Sequence, residues 1–158
     1  MTKTNLIAEP GKREIVMTHV FAPRELIFKV VTDPNLIPQC CGPRRLATTV
    51  DKMDVRPGGV WQFIQRGPEG NVYAFNGVYH AIVPPERLVY TFEFEGMPGH
   101  ILLETVTFEE HDRMTKLTNR TVFQTVEDRD KMLKSGMEKG AAETMDRFAE
   151  LLKELQKG

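Results

Sequence analysis

The sequence predicts an α+β domain in which a long C-terminal helix lies across the concave face of a curved antiparallel sheet. Two observations lead to this prediction. Apolar residues recur at steps of three and four between Glu127 and Gln156, the spacing of one helix face: Leu133, Met137, Ala141, Met145, Phe148, Leu152 and Leu155. Upstream, short runs typical of strands alternate with turns rich in Gly and Pro. A sheet and one amphipathic helix bury their apolar faces against each other.

Size and charge are those of one ordinary globular domain. The 158 residues, 41% of them hydrophobic, suffice for one continuous core, so we assign residues 1–158 to a single domain. Lys and Arg number 21 and Asp and Glu number 22. This balance gives no general attraction to polyanions. We therefore expect no nucleic acid or membrane partner, and a monomer or a homodimer.

The N-terminal third contains one strand and two short helices. Residues 1–11 are polar and too short for a signal peptide or a membrane span, which predicts a flexible leader and a cytoplasmic location. The run from Lys12 to Ala22 carries apolar groups on both faces and predicts the first strand. Pro23 suits the first turn of a helix that ends near Asp33-Pro34. One short helical turn fits between residues 35 and 39.

Six further strands fit between the turns that follow, which makes a sheet of seven. We place them at Arg45–Val55, Gly59–Arg66, Asn71–Val83, Arg87–Glu95, His100–Glu109 and Arg113–Phe123. In the fourth of these strands the aromatic residues Tyr90, Phe92 and Phe94 alternate with polar ones, so one face is apolar and the other is wet. Short connections between the strands predict antiparallel neighbours.

Several motifs, spread over almost the whole chain, resemble the Aha1-type branch (activator of Hsp90 ATPase homologue) of the START-like superfamily, also called SRPBCC or Bet v 1-like. They are Ala22-Pro23-Arg24-Glu25, Thr32-Asp33-Pro34, Gly42-Pro43, Asp54-Val55-Arg56-Pro57-Gly58-Gly59-Val60-Trp61, Gly77-Val78-Tyr79, Pro84-Pro85-Glu86-Arg87-Leu88-Val89 and Gly136-Met137-Glu138. The resemblance implies the helix-grip fold, with seven strands around the C-terminal helix, two short helices after the first strand, and a cavity between sheet and helix.

The chain departs from the family pattern at two places. Members commonly carry a Trp pair where this chain has Cys40 and Cys41, and a Trp where it has Ala141. Both changes remove bulk. They predict a larger cavity, or Met137 and Met145 turned inward to fill it, unless the rest of the core has compensated.

The predicted cavity wall combines aromatic, flexible and polar side chains. If Val106 and Phe108 face the helix, the two-residue period places Glu104 on the same side, and Leu117 does the same for Asn119 and Thr121. A buried Glu needs a partner or a proton, and the alternative is that Glu104 lies at the sheet rim or in a structural pair. The other expected lining residues are Trp61, Phe63, Tyr79, Tyr90, Phe92, Met137, Ala141 and Met145. The aromatic ones are equally explained as ordinary core.

Glycine, cysteine and histidine residues leave smaller questions. Gly136 and Gly140 either form a smooth helix patch that a strand or ligand approaches, or Ser135-Gly136 marks a kink or a late helix start. Cys40 and Cys41 are adjacent, which disfavours a disulfide between them, and they either pack or are reactive. The four scattered histidines predict no metal site, and we expect them to be solvated or at edges.

Three functional hypotheses follow. The sequence contains no nucleophile elbow, zinc pair or phosphate loop, so we predict no catalytic residues, metal or cofactor and favour a non-catalytic domain that holds an apolar small molecule. The family resemblance implies a second hypothesis, a chaperone-associated or stress-related interaction module. The third is a cyclase-like or hydrolase-like enzyme that uses the same cavity, for which Glu104 would be the residue to test.

Overall fold

One antiparallel sheet of eight strands forms the body of the structure, a computed structural model that describes residues 4–21 and 23–157. The strands are β1 (Asn5–Ile7), β2 (Glu14–Phe21), β3 (Ala47–Met53), β4 (Val60–Arg66), β5 (Val72–Val83), β6 (Arg87–Phe94), β7 (Ile101–His111) and β8 (Met114–Val122). Their spatial order is β1-β2-β8-β7-β6-β5-β4-β3. Short turns join β3 to β8 in sequence, so these strands pair in chain order, and β2 closes onto β8.

Within the described residues, four helices accompany the sheet. They are α1 (Arg24–Thr32), α2 (Ile37–Cys40), α3 (Val126–Lys134) and α4 (Met137–Lys157). The first two lie between β2 and β3, as the resemblance implies. In the main core, Phe148 and Leu152 of α4 pack with Val106 and Phe108 of β7 and with Ile27 of α1. The prediction of a C-terminal helix packed on one face of an antiparallel sheet is confirmed. No helix in the described ranges is both long and apolar enough to cross a bilayer.

The predicted strand count of seven is wrong. The additional strand, β1, falls within the segment predicted to be a flexible leader, and it pairs with β2 from Asn5 opposite Thr18 to Ile7 opposite Val16. At three residues it is too short to show a two-residue period in the sequence. The first three residues of that leader, and Ala22 of the first predicted strand and first family motif, lie outside the described residues.

The prediction of one continuous helix from Glu127 to Gln156 is also wrong. The chain breaks between α3 and α4 at Gly136, whose φ of +85° lies in the left-handed region that glycine tolerates best. Of the two interpretations of the glycines, the break is therefore right and the smooth patch is wrong. A side chain on Gly136 would meet no atom within 4 Å, and one on Gly140 would only touch the ring of Pro43 at 3.6 Å.

Candidate functional site

A cavity of about 400 Å³ lies between the sheet and the C-terminal helices. Its wall takes side chains from β2, from β4 to β8, from the α1–α2 region and from α3 and α4. All ten residues expected from the sequence line it: Trp61, Phe63, Tyr79, Tyr90, Phe92, Glu104, Asn119, Met137, Ala141 and Met145. That these residues bind a ligand remains a prediction.

Sequence reasoning missed other parts of the wall. Further lining residues are Met17, Cys41, Gln65, Phe75, Leu102, Phe123, Met132, Thr144 and Phe148, whereas Thr121, which also lines the cavity, was expected on the inward face. Gln65 and Phe75 could have been found, because period two places them on the same strand faces as Phe63 and Tyr79. Met17 and Met132 join the two predicted methionines, so four flexible thioether side chains share one wall.

The aromatic side chains form a connected group on the sheet side of the cavity. Trp61 is at its centre, with ring centroids 4.8 Å from Phe63, 5.8 Å from Phe92 and 6.1 Å from Tyr90. These separations are typical of favourable aromatic pairs. Trp61 and Tyr79 are only 3% and 4% exposed, so the same rings serve as core and as cavity wall. Burial raises the pKa of Tyr79 to about 12.

A polar cluster around Glu104 interrupts this apolar wall. Thr121 donates to one carboxyl oxygen of Glu104 at 2.6 Å, and Tyr90 donates to the other at 3.2 Å. The Asn119 side-chain amide approaches the second oxygen at 3.5 Å. The three strands β6, β7 and β8 place Tyr90, Glu104 and Thr121 directly opposite one another. The cluster is therefore built by sheet register and not by a loop.

Burial dominates the electrostatics of the cluster. It raises the pKa of Glu104 above its usual 4.5, and the hydrogen bonds from Thr121, Asn119 and Tyr90 act in the opposite direction. Burial, reinforced by the neighbouring Glu104 charge, raises the pKa of Tyr90 well above its usual value. The alternative of a structural pair is thus partly right: Glu104 has partners, and they are neutral donors on neighbouring strands.

Two buried polar atoms of the wall have no hydrogen-bond partner among the described residues. One is the side-chain oxygen of Asn119, and the other is the indole nitrogen of Trp61. The indole lies over Gly77 of β5, where a Cβ would come within 2.5 Å of that nitrogen. Glycine at this position makes room for the ring. Unpaired buried groups are rare in folded proteins, so each calls for a physical reason.

Comparison with known families decides the classification. The family model described as "Activator of Hsp90 ATPase homolog 1-like protein" matches residues 21–153. The chain belongs to this family. No match to this AHSA1-like chain was found among curated proteins.

Solved structures share the helix-grip fold of the AHSA1-like chain. A protein from Mycobacterium smegmatis is 25% identical, with a TM-score of 0.86 over 95% of this chain and 96% of its own. One from Rhodobacter sphaeroides is 23% identical, with a TM-score of 0.87 over 96% and 98%. The AHSA1 protein from Silicibacter pomeroyi is 20% identical, with a TM-score of 0.74 over 89% and 97%.

The two departures from the family pattern both reach the cavity. Ala141 and Cys41 line it, whereas Cys40 is fully buried in the main core. Met137 and Met145 also line the cavity, so inward methionines and an open volume occur together.

Neighbouring hydrogen bonds and charges fix the position and the pKa shifts of the thiol pair, Cys40 and Cys41. The two sulfur atoms are 4.0 Å apart. The hydrogen bond between them lowers the pKa of Cys40, helped by the charge of Arg147, and raises the pKa of Cys41 well above its usual value. Arg147 donates to the carbonyl oxygens of Cys41 and Gly42 at 3.2 and 2.8 Å, and Thr48 donates to the first at 2.7 Å. A protonated Cys41 is a weak nucleophile, and Cys40 is fully buried, so both favour packing over reactivity.

The histidines do not gather into a site. No group of three or more His, Cys, Asp and Glu side chains in residues 4–21 and 23–157 could hold a metal ion. His80, His100 and His111 are exposed, as expected. The expectation is wrong for His19, which is 4% exposed, bonded to Thr4 at 2.8 Å, and has its pKa lowered by burial.

Proposed function

We propose that this chain is a non-catalytic binding module that holds an apolar small molecule between the sheet and α4. The observation that carries the proposal is the cavity itself. Its volume of about 400 Å³ falls in the range of about 300–1,000 Å³ typical of ligand pockets, and it combines apolar walls with a few convergent polar groups. The Glu104 cluster would orient one end of the molecule, and the aromatic rings and methionines would cover the rest.

The titratable groups of the wall support binding rather than catalysis. General acid–base chemistry needs a donor and an acceptor of protons near the working pH. The pKa values of Tyr79, Tyr90 and Cys41 are all raised, so these groups keep their protons at neutral pH. A raised pKa makes each of these groups a weaker acid, so none of them is matched to proton exchange with Glu104 near neutral pH. Turnover that disappears in Glu104→Gln would instead favour the enzyme hypothesis.

Two measurements test the proposal. Native mass spectrometry of the purified protein should show a co-purifying molecule, or the melting temperature should rise when an apolar ligand is added. Ala141→Trp places bulk inside the cavity, so we expect it to remove that ligand-dependent rise. Lys139→Trp, on an exposed position of the same helix, is the matched control and should keep it. A ligand response that survives Ala141→Trp unchanged would contradict binding in this cavity.

A second candidate function is a chaperone-associated module, which the name of the family suggests. One surface feature favours it. Leu103 and Val122 lie opposite each other on β7 and β8 and are exposed, together with nearby Ile101. Exposed apolar groups outside the cavity suit a protein partner. The test is a pull-down with Hsp90, in which Leu103→Lys should weaken capture and Ala141→Trp should leave it unchanged.

A further inference from the structure

Three hydrogen-bond donors of the polar cluster in the cavity already bind Glu104. The hydroxyl groups of Tyr90 and Thr121 and one N–H of Asn119 all point to the carboxyl group of Glu104. This amide orientation is the one that sets a donor against the carboxyl oxygen. Three donors of the cluster are therefore engaged within the protein, and the indole N–H of Trp61, unpaired among the described residues, lies over Gly77 of β5, outside the cluster.

What the cluster presents to a ligand is an acceptor. The side-chain oxygen of Asn119 is buried and has no partner among the described residues, and a carboxylate has room for more than the bonds that Glu104 already accepts. An unmade hydrogen bond at a buried acceptor costs free energy that a donor from the ligand would recover. The site is therefore incomplete in one particular chemical sense, since it lacks a donor.

The charges of the lining residues further restrict the class of ligand. Among the described lining residues, Glu104 is the one acid and there is no Lys, Arg or His. A carboxylate or phosphate ligand would enter an apolar cavity without a cation to pair with, and it would face Glu104. Burying an unpaired charge is costly, and a like charge nearby adds to the cost.

We propose that the molecule held in this cavity is an apolar compound with a hydrogen-bond donor, a hydroxyl or N–H group, and no negative charge, and that this group binds at Asn119 and Glu104. This inference rests on the proposed function, because it names the class of ligand for the same cavity. It separates alcohols, phenols and amides from fatty acids and other anions of equal size.

Three probes with the same two-ring body test the inference by calorimetric titration of the whole protein. 2-Naphthol offers a donor, 2-methoxynaphthalene offers only an acceptor, and 2-naphthoate is an anion. One hydrogen bond to the protein contributes about 0.5–1.5 kcal/mol, so we expect 2-naphthol to bind about fivefold tighter than the methoxy compound. We expect 2-naphthoate to bind most weakly. Equal affinity for the first two, or tightest binding of the anion, would overturn the inference while leaving the proposed function intact.

A variant tests where the donor group of the ligand binds. Asn119→Leu keeps a side chain of similar size and removes the free acceptor, so the preference for 2-naphthol should fall to about twofold or less. Lys116→Leu, at an exposed position on the outer face of β8, is the matched control and should keep the wild-type preference. A full preference in Asn119→Leu would overturn the assignment to Asn119. If none of the three probes binds the wild-type protein, the proposed function fails, and the inference fails with it.

Discussion

The two halves of α4 have different surroundings. Between Met137 and Arg147 no residue is fully buried, and this half faces the cavity. Beyond it, Phe148, Leu151 and Leu152 are buried in the main core with side chains of α1, α2 and the sheet. One continuous helix thus borders a space in its first half and closes a packed core in its second, with Phe148 at the boundary in both.

Strand β7 shows the same division. Its buried inward residues Val106 and Phe108 join the main core, and Val106 also reaches the cavity that Glu104, two residues earlier, faces. Glu104, the polar residue, therefore lies where the helix and the sheet are not in close contact. The comparison teaches that stability and binding are separated along the length of one helix–sheet interface, and that the packed end can hold the open end in place.

Truncation should show the largest difference between the two halves. Leu152→Ala creates a void in a packed core, and we expect a loss of about 3 kcal/mol in the free energy of unfolding. Met145→Ala removes a side chain of similar size from the cavity wall and enlarges a space that already exists, so we expect about 1 kcal/mol. Urea denaturation measures both. Equal losses would contradict the division.

A larger side chain should change the free energy of unfolding in opposite directions in the two halves of α4. Ala141→Leu extends into the cavity and should raise the free energy of unfolding by about 1 kcal/mol. Ala149→Leu, two turns later, adds the same atoms beside the packed core and should lower it by about 1–3 kcal/mol. The two variants are controls for each other, because the change in helix propensity is the same. A gain in both would mean that the second half is not tightly packed.

A smaller effect is expected from the proton on Glu104. Its raised pKa means that the folded protein holds this proton more firmly than the unfolded chain does. The stability gained from this preference is complete below the usual glutamate pKa of 4.5 and is lost as the pH rises through the higher folded value. Glu104→Gln cannot titrate, so wild type should lose stability relative to this variant over that window. Urea denaturation across the pH range measures the difference, and a constant difference would place Glu104 in water.

The two cysteines should give the smallest but most local contrast. Cys40 is fully buried in the core, while Cys41 lines the cavity and its thiol keeps its proton. With iodoacetamide at neutral pH, we expect slow labelling of Cys41 and, until urea unfolds the protein, none of Cys40. Mass spectrometry of the digested protein distinguishes the sites after cleavage between them, or by fragmentation. Faster labelling of Cys40 than of Cys41 would contradict the assignment of Cys40 to the core and Cys41 to the cavity.

The sequence was sufficient for most of the sheet and for the ten expected residues of the cavity wall. Alternation along the strands placed Trp61, Tyr90, Glu104 and Asn119 on the face that α4 covers, because the direction of a side chain follows its position in a strand. Each of these residues lies within a run long enough to show its period. The polar cluster itself was not predictable, since it depends on the register that sets Tyr90, Glu104 and Thr121 side by side across three strands.

Other features escaped for different reasons. The apolar stripe continues from Leu133 to Met137, so periodicity gave no sign of the break at Gly136, and only the glycine itself indicated it, as one of two interpretations. The bulge between Tyr79 and Ala81 in β5 shifts the pairing with β6, and a strict two-residue period cannot anticipate such a shift. The burial of His19 depends on how β2 packs in the whole fold, which residue type alone does not reveal.

The four methionines of the cavity wall bear on selectivity. An unbranched thioether side chain can change rotamer at little cost, so a wall built from several of them can follow ligands of different outline. The Glu104 cluster is fixed by three strands and cannot adapt in this way. We therefore expect this protein to distinguish poorly between straight, branched and cyclic hydrocarbon bodies, and to respond sharply to the functional group that those bodies carry.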